Sequence, residues 1–312
     1  MHKGLARLLS CFILDKTKRH EFITKHKEVI NEYAKKPVVD AKMGQEIVKD
    51  VLKSDKPSLI CRFGLTEFKV LYSYIYKHSK YKKQLQDLMS TIYPTSDKSL
   101  DKFSKMLLEL TPEIDVLAVW RNKKEAKYCA QYCMENTKYV QFNTLMPFLY
   151  QENPWSSELQ NKKVLVIHPF DDSIKKQYEK RKLLFKNPAV LPDFELITMK
   201  PVYVTKENMA NLPYSSWFEA LDVMKKQIEA YDFEIALVAA GPFGIFLAEH
   251  CKKLGKKAIH VGGALQLFFG ITGQRWIDYY PDVRAIMNEH WIRPSDSEKP
   301  EGYKKIEGGC YW

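Results

Sequence analysis

The sequence predicts an α/β protein: a doubly wound, mostly parallel sheet with helices on both faces, preceded by N-terminal helices. Three observations lead there. Short apolar runs alternate with stretches of helical periodicity from Ser58 to Val261. The runs are continuously apolar rather than alternating, as in strands buried on both faces. Glycines and polar residues follow six of the runs, at the carboxyl ends of strands where such sheets place their ligands.

The first segment, MHKGLARLLSCFILDKTKR, predicts a helix over Leu5–Leu14. Leu5, Leu8, Leu9, Phe12 and Ile13 share one face, with Lys3, Arg7, Lys16, Lys18 and Arg19 nearby. The apolar part falls short of the ~20 residues that span a bilayer and has no small-residue cleavage site after it. Two readings stay open: a helix docked on the domain, or one lying on an anionic membrane surface. Helices over Arg19–Tyr33 and Gly44–Ser54 complete a segment, 1–55, packed on a main domain, 56–312.

The expected strands are Ser58–Cys61, Asp115–Trp120, Tyr139–Phe142, Val164–His168, Phe194–Met199, Ile235–Ala239 and Ala258–Val261. Helical periodicity fills Thr66–Lys77, Leu100–Leu110, Lys123–Cys133, Ser173–Phe185, Trp217–Tyr231 and Ile245–Leu254. The chain shows no internal repeat, low-complexity tract or linker. Its 312 residues suit one large domain or two small ones.

Hydrophobic residues make up 45% and charged residues 28%, ordinary values for a globular protein. Net charge is +11, spread through stretches such as KHKEVINEYAKK and HCKKLGKK. Interleaved charge of this kind reads as solvated helix faces, or as attraction to phosphate-bearing substrates or a membrane surface. With no zinc-finger, basic-zipper or RNA-recognition pattern, no nucleic-acid partner is expected. Six cysteines without a C-x-x-C pair predict free thiols and a reducing, cytoplasmic setting.

Four strand ends carry candidate chemistry. SLICRFGLTEF sets Arg62 and Glu67 around Gly64. VLVIHPFDDS gathers His168, Asp171 and Asp172, with His168 a candidate general base and Asp172 or Ser173 a cap for a helix beginning at Ile174. VAAGPFG turns Gly241 and Gly244 into a helix N-terminus, which suits phosphate. It nearly matches the dinucleotide fingerprint, but the next strand ends HVGGA with no carboxylate for a ribose, so NAD is not expected. Gly262 and Gly263 in that segment let a ligand approach the backbone, and Gln266 either contacts the ligand or packs locally. The ending EGGCYW is aromatic enough to pack rather than trail.

RFGLTEF, HPFDDSIKKQYEKRKLLF, AAGPFGIFLAEHCKKLGKKAIHVGGALQLFFG and HWIRPSDSEKPEGYKKIEGGCYW together resemble the GT-D-like proteins of bacterial surface-polysaccharide gene clusters. These are similar to GT-D glycosyltransferases, which are Rossmann-like and use nucleotide-sugars. The resemblance runs from Lys56 to Trp312. It implies transfer of a sugar from a nucleoside diphosphate to a hydroxyl of a glycan or lipid-linked acceptor, in capsule or O-antigen assembly at the inner membrane face. It also implies a D-x-E element that holds a divalent cation, Mn or Mg, at the donor diphosphate. In this chain Glu67 retains the Glu and Leu65 stands where the Asp would be. One carboxylate is few for a hard cation; Asp171 or Asp172 is then a candidate replacement ligand. The resemblance thus implies a diphosphate site of Arg62, Gly64, Gly241, Gly244, Gly262, Gly263 and Gln266. Glu67, His168 and Asp171 are its catalytic candidates, with Glu67 also the metal candidate. Leu65 leaves room for a second implication: a partner that binds nucleotide-sugar or glycan without turning it over.

Overall fold

Seven parallel strands form the centre of the protein, which a computed structural model describes over residues 29–77, 81–305 and 307–312. The expected helix Leu5–Leu14 and most of Arg19–Tyr33 lie outside these residues. The strands are β1 (Ser58–Cys61), β2 (Val116–Val119), β3 (Lys138–Gln141), β4 (Lys163–Ile167), β5 (Glu195–Met199), β6 (Ile235–Val238) and β7 (Lys257–His260). Their spatial order is β3-β2-β1-β7-β6-β4-β5. β1, β2 and β6 are buried at every residue, whereas the edge strands β3 and β5 begin on exposed Lys138 and Glu195. Burial on both faces is what a continuous apolar run supports.

Successive residues on a strand point to opposite faces, so the sheet divides the interior in two. Leu59, Leu117, Leu165, Ala236 and Ala258 join one core. Ile60, Val116, Val164, Leu237 and Ile259 join the other. The longer helices among the described residues are α1 (Ala41–Lys53), α2 (Leu65–Lys77), α3 (Asp97–Leu110), α4 (Lys123–Tyr132), α5 (Asp171–Glu179), α6 (Trp217–Glu229) and α7 (Gly244–Lys253). Those packing against the first core are α2, α3, α4, α6 and α7, through residues such as Phe68, Phe103, Tyr128, Trp217 and Phe246. α1 and α5 pack against the second through Val48, Leu52, Ile174 and Tyr178, with Trp155, Phe268 and Trp312.

Three local expectations are corrected. The stretch ending at Tyr33 is not helical there: Glu32–Tyr33 pairs antiparallel with Lys36–Pro37, and the turn between them holds Ala34 and Lys35 at φ of 50° and 62°. Tyr33 is fully buried and its hydroxyl donates to Glu125 Oε2 at 2.8 Å, a tertiary contact that overrides local propensity. The helix expected over Ser173–Phe185 is broken at Lys180, with a short turn Arg181–Leu184 following. It also starts earlier, at Asp171, and neither Asp172 nor Ser173 caps it. Glu298 does so from far along the chain: its Oε1 accepts from the Asp172 and Ser173 backbone N–H groups at 3.0 and 3.1 Å.

Two chain reversals place the site. β1 to β3 wind outward to one edge, whereas β4 and β5 form the other edge and β6 and β7 return inward. The switch point is the β1–β7 pair, with Ile60 level with Ile259. Residues leaving those two strands converge there, as ligand sites in doubly wound sheets do.

Candidate functional site

α2 begins at Leu65, where the Phe68 N–H donates to the Gly64 carbonyl at 2.8 Å. The Arg62–Gly64 turn is therefore the link between a fully buried strand and a helix N-terminus, and Glu67 lies in the first helical turn. Beside it, residues 241–243 form a tight 3-10 turn that runs into α7. Phe63, Gly64, Glu67, Leu107, Gly241, Pro242, Ile245 and His260 line one small cleft between these two turns. Strand ends separated by a long stretch of sequence, Arg62–Glu67 and Gly241–Gly244, thus meet at one place.

The glycines show what the cleft is built around. A Cβ at Gly64 would stand 2.7 Å from Glu67 Oε1, so the Glu67 carboxylate lies over the Gly64 backbone. A Cβ at Gly262 would stand 2.7 Å from Arg62 Cζ, so the guanidinium lies over Gly262, whose φ of +72° is itself unsuited to other residues. At Gly244 the neighbour is His260 Nε2 at 2.6 Å, and at Gly263 it is the Tyr311 ring at 2.6 Å. Gly241, at φ +51°, has nothing within 4 Å and is the one of these five that opens onto space.

Arg62 is half-buried. Its Nη1 donates to the Phe63 carbonyl at 3.4 Å, while its buried Nε has no hydrogen-bond partner. Among the described residues neither Arg62 nor Glu67 has an ion-pair partner, and they do not pair with each other. The Phe63 carbonyl also accepts from Trp120 Nε1 at 2.7 Å, and the Trp120 ring stacks on Phe142 at 4.3 Å. A guanidinium with a desolvated, unsatisfied N–H beside a helix N-terminus is suited to an anion.

Of the remaining predicted residues, three are committed elsewhere. Gln266 is 1% exposed, and its amide donates to the carbonyls of Ile271 and Tyr311 at 3.2 and 3.1 Å. It packs locally and has no amide N–H left pointing at a ligand without breaking these bonds. His168 accepts from the Phe170 N–H on Nδ1 at 2.9 Å, which places its proton on Nε2. Its one lone pair is used, and burial holds its pKa down at about 3, so the general-base role does not fit this geometry. Asp171 pairs with Lys175 at 3.1 Å and lies 3.9 Å from Lys200. β4 is three strand spacings from β1, roughly 14 Å, so His168 and Asp171 stand apart from Arg62 and Glu67.

Asp171, Asp172 and Glu298 bring carboxylate oxygens within 4.8 Å of one another. Glu298 already serves the α5 N-terminus, and its Oε2 takes the Ser173 hydroxyl and the Ser295 N–H. Its capacity is spent on the cap, which leaves a half-buried Asp171 and an exposed Asp172, both paired with Lys175.

The residues that sequence reading missed are His260 and Tyr311. His260 closes β7 just before Gly262, as His168 follows β4, so the signal was a histidine at the end of an apolar run. Its Nδ1 is 3.2 Å from the Arg62 carbonyl, and burial, aided by the Arg62 charge, lowers its pKa to about 3. Tyr311 carries no such signal. Its ring lies over Gly263, and its hydroxyl accepts from Arg275 Nη1 at 2.9 Å.

No protein-family model and no curated protein matches the chain. Among solved structures, a glycosyltransferase (DUF1792) from Streptococcus sanguinis aligns with a TM-score of 0.45 at 10% identity, over 82% of this chain and 98% of that one. A structure of domain of unknown function 1792, described as having a distinct glycosyltransferase fold, aligns with a TM-score of 0.44 at 12% identity, over 82% and 94%. A selenomethionine-substituted structure of the same domain gives 0.36 at 12%, over 80% and 98%. With TM-scores below 0.5, these alignments assign this chain neither family nor activity.

Proposed function

We propose that this protein is a glycosyltransferase that moves a sugar from a nucleoside diphosphate to an acceptor hydroxyl. The observation that carries the reading is Arg62: a guanidinium with a buried, unpartnered Nε, at the switch point of the sheet and lying over the backbone of Gly262. The departing group of such a reaction is a diphosphate, whose charge needs fixed positive groups and N–H dipoles. Arg62, the α2 N-terminus and the backbone at Gly241 and Gly262 supply them. In the transfer, the acceptor oxygen bonds to the anomeric carbon. The bond from that carbon to the phosphate oxygen breaks, and the diphosphate leaves with the electron pair. Glu67, in the same cleft, takes the acceptor proton.

A divalent cation, Mn or Mg, would find one carboxylate in this cleft, Glu67, and would draw its other ligands from the diphosphate and water. It would neutralise charge on the leaving diphosphate. Leu65, 50% exposed beside Glu67, favours a second reading in which the site binds the nucleotide-sugar without turnover. The proposed setting is surface-polysaccharide assembly, with a glycan or lipid-linked acceptor. The +11 net charge supports contact with an anionic membrane face, and no described helix is long and apolar enough to cross one.

The test is to incubate the protein with a panel of nucleoside-diphosphate sugars and candidate acceptors and follow released nucleoside diphosphate. Release that requires Arg62 and Glu67 supports the transferase. Tight binding with no release supports the second reading, and no binding of any nucleoside diphosphate overturns both.

A further inference from the structure

We propose that His260 is the positioning residue of this cleft: its Nδ1–H holds the Arg62 carbonyl while its ring fills the space left by Gly244, fixing the Arg62 turn against the Gly241–Gly244 turn. The link to nucleotide binding rests on the diphosphate reading above; the strut itself does not.

A carbonyl oxygen only accepts, so the 3.2 Å contact requires the proton on Nδ1 and leaves Nε2 unprotonated. His260 and Ala258 share a face of β7, the face on which α7 packs, because side chains alternate along a strand. That orientation brings Nε2 to within 2.6 Å of where a Gly244 Cβ would stand. Any larger residue at 244 would push the ring off the Arg62 carbonyl. The ring is 4% exposed, so it is held on all sides rather than free to turn. Burial and the adjacent guanidinium both oppose its protonation, which keeps the donating tautomer through neutral pH. The groups facing it are Arg62 from the β1 turn and, across the cleft, Glu67 from α2. One neutral ring therefore touches both turns that the proposed diphosphate must bridge.

The two amide residues separate a strut from mere filling. Asn places an N–H near the Nδ1 position, Gln places its amide near Nε2, and Leu fills volume with no donor. Purified His260→Asn, His260→Gln and His260→Leu are compared with the unaltered protein, folding being checked by circular dichroism and urea midpoint. The first readout is hydrogen exchange at the amides of residues 62–64 without ligand. His260→Leu and His260→Gln are expected to raise it ~5-fold, and His260→Asn to leave it within about twofold, as loss of one hydrogen bond of about 1 kcal/mol predicts. Gly244→Ala should raise it as well, by displacing the ring. The second readout is calorimetric affinity for uridine and adenosine diphosphates, expected to follow the same order.

Unchanged exchange in His260→Leu, or equal rises in His260→Asn and His260→Leu, overturns the proposal. The ordered exchange pattern without any nucleoside-diphosphate binding supports the strut and removes the donor-site reading.

Discussion

At the end of β1 one arginine has three neighbours: its guanidinium meets the Phe63 carbonyl and the bare face of Gly262, and its main-chain carbonyl meets the His260 ring. Its Nε has no partner, and that is the group an incoming phosphate oxygen would satisfy. Arg62→Lys keeps the charge but loses the planar fork. Nucleoside-diphosphate affinity, measured by calorimetry, should fall about tenfold while the urea midpoint stays within error; charged hydrogen bonds are worth roughly 1.5–3 kcal/mol. Unchanged affinity in both Arg62→Lys and Arg62→Ala would take Arg62 out of the donor site. Glu67→Gln is nearly isosteric and has no ion pair to lose. Turnover should drop by about 10²-fold or more, the usual weight of a general base, with nucleotide affinity preserved. A loss of affinity that appears only when Mn or Mg is present would assign Glu67 to the metal instead.

The turns at the sheet edge differ in what their glycines do, and so should their variants. Gly241 and Gly262 both have left-handed φ, so alanine costs each about 1–2 kcal/mol of backbone strain. At Gly241 the new methyl meets nothing, whereas at Gly262 it meets the Arg62 guanidinium. Gly241→Ala should therefore lower the thermal midpoint modestly and leave Arg62 in place. Gly262→Ala should lower it further and also weaken nucleotide binding, because the side chain it displaces belongs to the site. Equal effects of the two on binding would show that Arg62 does not depend on the Gly262 surface. α5 offers a contrast of another kind. Its cap comes from Glu298, and Glu298→Ala should cost about 1–2 kcal/mol in a urea titration.

Across the whole molecule, two buried histidines tie stability to pH. His168 and His260 titrate near 6.5 in an unfolded chain and near 3 in the folded one, because burial penalises the charged ring. Between those values the unfolded chain holds more protons. Stability should therefore be fully present above pH 6.5 and decline as pH falls toward 3, with a slope of up to about 1.4 kcal/mol per pH unit for each ring. Thermal unfolding followed from pH 7.5 to 5 should show this decline, and His168→Asn with His260→Asn should flatten it. A flat profile in the unaltered protein would mean that these rings are solvated. The C-terminal residues are part of the same interior. Trp312 is 7% exposed, packs edge-on to Phe170 at 5.7 Å, and its carbonyl accepts from Arg293 Nη1 at 2.7 Å. Trp312→Ala should cost roughly 3 kcal/mol or more in denaturant unfolding, the usual loss for a buried Trp.

The amino-acid sequence by itself determined the seven strands, their parallel class and the edge at which chemistry collects. Each strand is a local apolar run whose burial on both faces shows in composition, and each is followed within a few residues by a glycine, a proline or a polar side chain. Arg62, Gly64, Glu67, Gly241 and Gly262 were legible for the same reason: they sit within a few residues of a strand end. What only the tertiary structure decided is which of those ends meet. Strand order is set by long-range pairing that leaves no mark on any one segment, and it put β7 beside β1 and β4 three strands away. That order brought His260 to the Arg62 carbonyl and left His168 and Asp171 at a distance. The same long-range packing gave Gln266 to Tyr311, the α5 cap to Glu298, and Tyr33 to a strand rather than a helix. In each case a buried polar group found its hydrogen-bond partner far along the chain, and the need to satisfy it outweighed the preference of the surrounding residues.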